Sequence, residues 1–309
     1  MTAPRIVVVG STMIDLVAYA DRLPNDGETV VGNSYQTGFG GKGANQAVVA
    51  ARFGAQVAMV NTLGDDAHGD SYLEQFAGEG IDTSFVRRAP GSSGVAPIWV
   101  DTAGTNRIII VPGANLEVLP DVAAEAVEAF APHVVIGQFE IPQATTAAGF
   151  AAARRLGATT ILNPAPAAAV DPALLEVTDW LVPNETEFVL ITGRSLPSTP
   201  DEEATTIAAT AAELGPSVVV TLGERGALVV PHDAPSTRVE APKVAAIDTT
   251  GAGDAFVGAF AVGLALGMTA VDAARLGCAA AADSVTRLGT QSSYPDRAGA
   301  AAILATYRG

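Results

Sequence analysis

The chain has 309 residues, enough for one large α/β domain or two smaller ones with a real core. Hydrophobic residues make up 49% and aromatics 6%, so alanine and small aliphatics dominate the packing and nothing resembles a disordered chain. The 17 basic and 33 acidic residues give a net charge of −16, which argues against a nucleic-acid binder but leaves room for a phosphorylated ligand held by a few backbone N–H groups.

Met1 to Arg5 run straight into the apolar segment Ile6-Val7-Val8-Val9, with no charged start and apolar run of a signal peptide. The one cysteine, Cys278, permits no intrachain disulfide and no Cys-based metal site, so a reducing, cytoplasmic setting is expected. The apolar stretch from Ala255 to Met268 is too short and too Gly-rich to span a bilayer.

Short β-branched runs follow Ile6–Val9 in order: Val57–Val60, Val134–Ile136, Thr159–Leu162, Trp180–Val182 and Val218–Val220. Runs apolar on both faces suit a parallel sheet covered by helices. Helical patterns lie between them over Ala44–Phe53, Gly69–Ala77, Ala123–Phe130, Thr145–Arg155 and Asp201–Glu213. This alternation predicts a doubly wound α/β architecture, with no linker or domain boundary along the chain. Two regions break it. Glu28–Val31 to Tyr35–Thr37 reads as strands with polar alternation, and Val95–Val100 with Arg107–Val111 reads as a hairpin. These strands are expected to form a small flap over the edge of the main sheet.

Two segments carry chemistry. Gly38-Phe39-Gly40-Gly41-Lys42-Gly43-Ala44-Asn45-Gln46-Ala47 opens a helix. Its Gly38, Gly40 and Gly43 match the dinucleotide spacing, a weak signal that follows a polar strand instead of a buried one. Lys42, Asn45 and Gln46 suit hydrogen bonds to hydroxyls, and Asp15, just after the first strand, is either a ligand contact or a turn residue. Asp248-Thr249-Thr250-Gly251-Ala252-Gly253-Asp254 precedes the apolar helix Ala255–Leu266. Gly-Ala-Gly at a helix start leaves N–H groups converging on one spot, which the helix dipole makes attractive to an anion. Asp254 follows at once, where a carboxylate beside an anion hole makes sense if it takes a proton from an attacking hydroxyl. Asp is also favoured near helix starts, so the local pattern alone leaves cap and base open.

Together, and in this order, the two segments resemble the PfkB family of carbohydrate kinases, in its ribokinase branch. Asn163-Pro164-Ala165-Pro166, Pro183-Asn184-Glu185-Thr186-Glu187 and Thr221-Leu222-Gly223-Glu224-Arg225-Gly226 fit between them, so the resemblance covers essentially the whole chain. It implies a ribokinase-like fold: a doubly wound, mainly parallel sheet with helices on both faces, plus a small β-lid from about residues 15–40 and 95–112 that pairs with a second lid in a homodimer. It implies transfer of the γ-phosphoryl group of ATP to the primary hydroxyl of a small sugar, D-ribose on the ribokinase pattern. A ketohexose, a sugar acid such as 2-keto-3-deoxygluconate, or a nucleoside are the alternatives.

The resemblance also implies roles. Asp254 is the base, with the N–H groups of Gly251, Ala252 and Gly253 as anion hole. Asp15, Gly41, Lys42, Asn45 and Glu140 contact the sugar. Asn184 and Glu187 handle Mg2+ and phosphate. Thr221, Gly223 and Gly226 form the nucleotide loop, with Gly253 beside it and Cys278 on the adenine side. Asp248, Thr250, Ser284, Arg287, Gly289 and Ser293 match a site for K+, some through backbone carbonyls. One departure concerns Met13, which stands where the branch carries an Asn contacting the sugar. Methionine offers neither the donors nor the acceptor of that amide.

His68, His133 and His232 have no metal-ligand spacing and are read as structural or surface residues. Trp99 and Trp180 are read as packing residues, and Arg107 as a solvated hairpin charge. Two other functions fit fewer residues: a non-catalytic sugar-binding protein, and a nicotinamide-dependent oxidoreductase resting on the Gly38–Gly43 spacing. The second lacks its acidic residue, because Val57–Asn61 ends in Asn.

Overall fold

The computed structural model describes residues 3–307. The chain enters at β1 (Arg5–Val9), then forms β2 (Met13–Tyr19), β3 (Ser34–Gly40), α1 (Lys42–Arg52), β4 (Gln56–Gly64), α2 (Ala67–Glu79) and β5 (Asp82–Ala89). Next come β6 (Val95–Val100), β7 (Asn106–Ile108), α3 (Pro120–Phe130), β8 (Val134–Gly137), α4 (Gln143–Arg155), β9 (Thr159–Leu162), α5 (Pro172–Leu175), β10 (Trp180–Leu181) and α6 (Glu185–Thr192). It ends with α7 (Pro200–Leu214), β11 (Ser217–Thr221), β12 (Ala227–Val230), β13 (Thr237–Val239), α8 (Ala252–Ala265), α9 (Ala270–Ser284) and α10 (Arg297–Tyr307).

Nine strands form one sheet in the order β13-β12-β11-β10-β9-β8-β1-β4-β5. Pairing is parallel from β11 to β5 and antiparallel where β11, β12 and β13 meet. Side chains alternate across the sheet with period two. Ile6 and Val8 join a core beneath α1, α2, α8, α9 and α10, whereas Val7 and Val9 join a second core beneath α3, α4, α6 and α7. Both faces of β1 are therefore dry, which is why its sequence is a continuous apolar run. Among the described residues, no helix is long and apolar enough to cross a membrane.

After β1 the chain goes to β4 on one side of it, and later returns to β8 on the other. The order reverses between β1 and β8, and a crevice at such a reversal is where open α/β sheets bind ligands. The segments leaving β1 and β8 carry Ser11 and Glu140, which are hydrogen-bonded to each other there.

A second, four-stranded sheet has the order β3-β2-β6-β7. The expected hairpin is present, with Ile98 opposite Ile108 and Val100 opposite Asn106. The Glu28–Val31 run is not a strand; it leads into β3, which begins at Ser34. Instead β2 pairs antiparallel with β3 and parallel with β6. Asp15 therefore lies within a strand, opposite Gly38, and not in the turn after β1.

Small residues set how closely the helices approach. A Cβ at Gly258 of α8 would stand 2.8 Å from the Gln46 carbonyl oxygen and from Cβ of Val49, both on α1. A Cβ at Gly277 of α9 would meet the Phe256 ring at 2.8 Å. These contacts hold α8 against α1 and α9, and so place the start of α8 beside the start of α1.

Candidate active site

Helix α8 begins after Gly251, whose φ of 76° is the left-handed conformation that glycine adopts without strain. A Cβ there would also press within 2.5 Å of the Tyr294 hydroxyl. The first N–H groups of a helix lack partners within it. A Cβ on Gly253 meets nothing within 4 Å, so this turn opens on free space. The cleft it faces is lined by Lys42, Asn163, Ala165, Val182, Asn184, Glu187, Thr221, Gly251, Gly253, Asp254 and Val257.

Asp254 is 6% exposed, and a buried carboxylate needs partners. Asn45 Nδ2 donates to its Oδ2 and Gln46 Nε2 to its Oδ1, each at 2.9 Å. Hydrogen bonds to a charged group contribute about 1.5–3 kcal/mol each, enough to offset much of the burial cost. Asn45 and Gln46, expected to bond a substrate's hydroxyls, thus give N–H groups to Asp254. Helix α1 begins at Lys42, so its first turns turn both amides inward, where they are buried.

Lys42 stands among carboxylates. Burial pulls its ammonium down, but Asp254, Glu140 and Glu187 together hold it above its ordinary value. The Lys42 backbone N–H donates to Glu140 at 2.9 Å. Asp15 lies behind Gly40, whose missing Cβ would stand 2.6 Å from both carboxylate oxygens. Burial, helped by the charge of Glu140, raises Asp15 to about 7. Gly41 takes φ 85° in the tight turn between β3 and α1, packed on the backbone of Thr12 and Met13. Met13 itself is 3% exposed, with its thioether 3.8 Å from Asn115 Nδ2.

At the other end of the cleft, Asn184 caps α6. Its side chain accepts from Glu187 N at 2.8 Å, and Glu187 returns a bond to Asn184 N at 2.9 Å. The Asn-x-x-Glu pattern is therefore a capping box as well as a cleft feature. Burial raises Glu187, against the pull of that backbone bond and of Lys42. Thr221 ends β11, and Gly223 (φ 58°) and Gly226 (φ 85°) turn the chain into β12. Arg225 between them binds Glu203 and Glu185, tying this loop to α7 and α6. Among the described residues no three His, Cys, Asp or Glu side chains are grouped to hold a metal. Glu187 and Asn184 line the cleft and offer oxygen donors of the kind a magnesium ion takes.

The segment around Asp248 meets the loop after α9. Asp248 Oδ1 accepts from N and Oγ1 of Thr250 at 2.9 and 2.7 Å, and Oδ2 accepts from Gly289 N at 2.9 Å. These bonds outweigh burial and hold Asp248 below the usual carboxylate range. Arg287 donates to the Ser293 carbonyl at 2.7 Å and pairs with Asp283. The Ser284 and Ser293 hydroxyls donate to Ala281 O and Thr290 O. The oxygen-rich pair of loops suits a hard, singly charged cation, although Arg287 already occupies the Ser293 carbonyl.

Cys278 is not in the cleft lining. It is 4% exposed in the core on α9, where burial pushes its thiol up to about 12. Trp180 packs edge-on against Phe260 at 5.6 Å between centroids, as a packing residue should. Trp99 and Arg107 face each other across the exposed hairpin. Gln138 carried no signal in the sequence but polarity at the end of an apolar strand, and Asn163 entered only as part of the segment Asn163–Pro166, with no role of its own.

A carboxylate at the mouth of a helix N-terminus, facing a cleft with a lysine, suits transfer of a phosphoryl group to an alcohol acceptor. The fold is that of the ribokinases. The pfkB family carbohydrate kinase profile matches residues 3–297. The chain is 38% identical over 294 residues to the deoxyribokinase of Salmonella typhi, covering 94% of this chain and 95% of that one. It is 39% identical over 301 residues to the ribokinase of Mus musculus, covering 95% and 92%. It superposes with a TM-score of 0.85 on the ribokinase of Thermotoga maritima, at 38% identity over 97% of this chain and 99% of that one. The chain belongs to the pfkB family of carbohydrate kinases and is a ribokinase-like sugar kinase. The binding-protein and oxidoreductase readings fall with that finding. The strand expected to end at Asn61 in fact continues to Gly64, and Asn61 is buried against Gly10 O and Asn115.

Proposed function

We propose that the chain phosphorylates the primary hydroxyl of D-ribose with ATP, using Asp254 as the base. The observation that carries this is the buried Asp254 carboxylate, which lines the cleft beside the open helix start at Gly253. Asp254 takes the proton from the hydroxyl as its oxygen bonds to the γ-phosphorus, and the bond to the bridging oxygen of ADP breaks. The N–H groups of Gly251, Ala252 and Gly253 would serve the charge that builds on the transferred group, that of Ala252 turning from Thr249 O, to which it donates at 3.3 Å, and Lys42 adds a positive charge to the cleft. Asp15, Glu140, Gly41 and one remaining N–H of Asn45 bind the sugar. Thr221, Gly223 and Gly226 bind the nucleotide, with Mg2+ supplied with it near Asn184 and Glu187. Asp248, Thr250 and the loop 284–293 would hold a K+ ion, whose charge would offset that of the anion bound at the helix start.

The ribokinase of Arabidopsis thaliana, whose structure holds ribose and ATP, supports this substrate pair. A second acceptor is favoured by one observation. Met13 is apolar and buried at the sugar end, and a relative of 38% identity is a deoxyribokinase. An acceptor lacking a hydroxyl leaves nothing unpaired against Met13, so 2-deoxyribose competes with ribose. The small sheet carries exposed Tyr35, and exposed Ile109 follows its last strand on the same face by register, a surface suited to a second copy.

The test is ADP release with ribose, 2-deoxyribose, ketohexoses, sugar acids and nucleosides, in sodium and in potassium buffers. Asp254→Asn should retain nucleotide binding and lose about 10²–10⁴ in kcat. Near-normal kcat in that variant, or no turnover of either pentose, defeats the proposal.

A further inference from the structure

Asp254 sits where two chains of carboxamides converge. In one, Gln138 Nε2 donates to Gln46 Oε1 at 2.6 Å, and Gln46 Nε2 donates to Asp254 Oδ1 at 2.9 Å. In the other, Gln75 Nε2 donates to Gln291 Oε1, Gln291 Nε2 to Asn45 Oδ1, both at 3.1 Å, and Asn45 Nδ2 to Asp254 Oδ2 at 2.9 Å. Gln46 and Gln138 are 0% exposed, Asn45 and Gln291 4%.

An ionised carboxylate only accepts hydrogen bonds, so Asn45 and Gln46 must each turn an NH2 group to Asp254. Their oxygens then face away and demand donors, which fixes the next amide in each chain in turn. Every amide is thus set donor-first toward one carboxylate. Gln46 also donates to Asn163 Oδ1 at 3.1 Å, and Asn163 is held by Val182 O at 2.9 Å, so Gln46 has no freedom to rotate. The orientation is held even at a cost: Gln138 Oε1 is buried without a partner. Room for it comes from Gly10, where any Cβ would collide with that oxygen. A side chain kept for packing alone would be served by methionine or leucine, with no orphan acceptor.

We infer that Gln46, Gln138 and Gln291 are positioning residues for Asp254, aiming its carboxylate through two donor-first amide chains. Gln138 and Gln291 do not touch Asp254 and are absent from the cleft lining; they act through Gln46 and Asn45. Aligned amides polarise one another, so loss of an outer donor weakens the inner bond. This rests on Asp254 being the base.

The experiment measures kcat, both KM values and thermal unfolding for Gln138→Glu and Gln291→Glu, alone and combined with Asp254→Asn, using ATP and the best acceptor of the panel above. An ionised glutamate replaces a donor by an acceptor of the same shape, so it repels the oxygen of the inner amide and weakens that amide's bond to Asp254. Each single variant should lose about ten- to a hundredfold in kcat, with both KM values within about twofold of the parent. Neither should lower kcat further in the Asp254→Asn background, because its target is already gone. Unchanged kcat in Gln138→Glu and Gln291→Glu, beside an impaired Asp254→Asn, overturns the inference alone. So does a loss that persists undiminished in the Asp254→Asn background. Near-normal kcat in Asp254→Asn itself sinks the base reading instead. If a glutamate variant does not fold, Gln138→Met and Gln291→Met take its place; if these also fail to fold, the amides serve the fold and the inference is overturned.

Discussion

Gly251 and Gly253 are two residues apart and do different things. Gly251 needs φ 76° and has the Tyr294 hydroxyl within 2.5 Å of where a Cβ would stand, whereas Gly253 is helical with open space in front of it. Gly251→Ala should therefore lower the melting temperature, by roughly 1–3 kcal/mol of strain. Gly253→Ala should melt no lower than the parent, since alanine favours a helix, yet lose most of its turnover because the methyl occupies the space a phosphoryl group needs. Melting curves with steady-state kinetics decide both; equal melting of the two variants contradicts the assignment. That Asp254 and these glycines stand together at a helix start was legible in sequence, because they fall within seven consecutive positions, Asp248 to Asp254. The Gln46 bond to Asp254 was not, because 208 positions separate the partners and only the packing of α1 on α8 brings them together.

That packing belongs to the elements. Gly258 lets α8 approach α1 closely enough for Asn45 and Gln46 to reach Asp254. Gly258→Val should push the helices apart, costing about 1–3 kcal/mol as overpacking does. Turnover should fall by more than the unfolded fraction accounts for, as Asp254 loses its donors. Full specific activity per folded molecule would contradict this. Elements with an apolar signature on both faces were readable to within a residue or two, such as Thr159–Leu162 for β9, except β4, which runs four residues past Val60 to Gly64. Glu28–Val31 was misread because strand-forming residues make a strand only where a partner offers hydrogen bonds. The pairing of β2 with β6 was hidden for the converse reason: a parallel pair separated by about eighty residues leaves no local trace.

At the scale of the whole molecule, Asp15 couples folding to pH. Its ordinary value is 3.8 and burial raises it to about 7. Between these values the folded protein keeps a proton that the unfolded chain has released, so stability falls as pH rises through the window and stays lowered above it. Asp15→Asn should raise the melting temperature at pH 8, with the gain vanishing toward pH 4; a pH-independent difference would refute the cause. The proposed pairing of two copies through the small sheet is a second molecular property. Ile109→Asp, at a side chain 55% exposed, should convert a dimer to a monomer in sedimentation without lowering the melting temperature by more than a few degrees. A parent that sediments as a monomer ends that proposal.

A buried amide helps tie the small sheet to the large one, where Asn61 of β4 also donates to it. Asn115 accepts from Thr12 N at 2.9 Å and donates to Thr12 O at 2.8 Å, pairing with the residue just before β2 as another strand would. It also donates to Pro112 O at 2.8 Å, on the segment that follows β7. Nearby, the Tyr72 hydroxyl donates to both Met13 O and Gly40 O, where β2 starts and β3 ends. The chain's entry to the small sheet and its exits are thus pinned at one place. A movement of that sheet relative to the large one would have to break or carry along these hydrogen bonds.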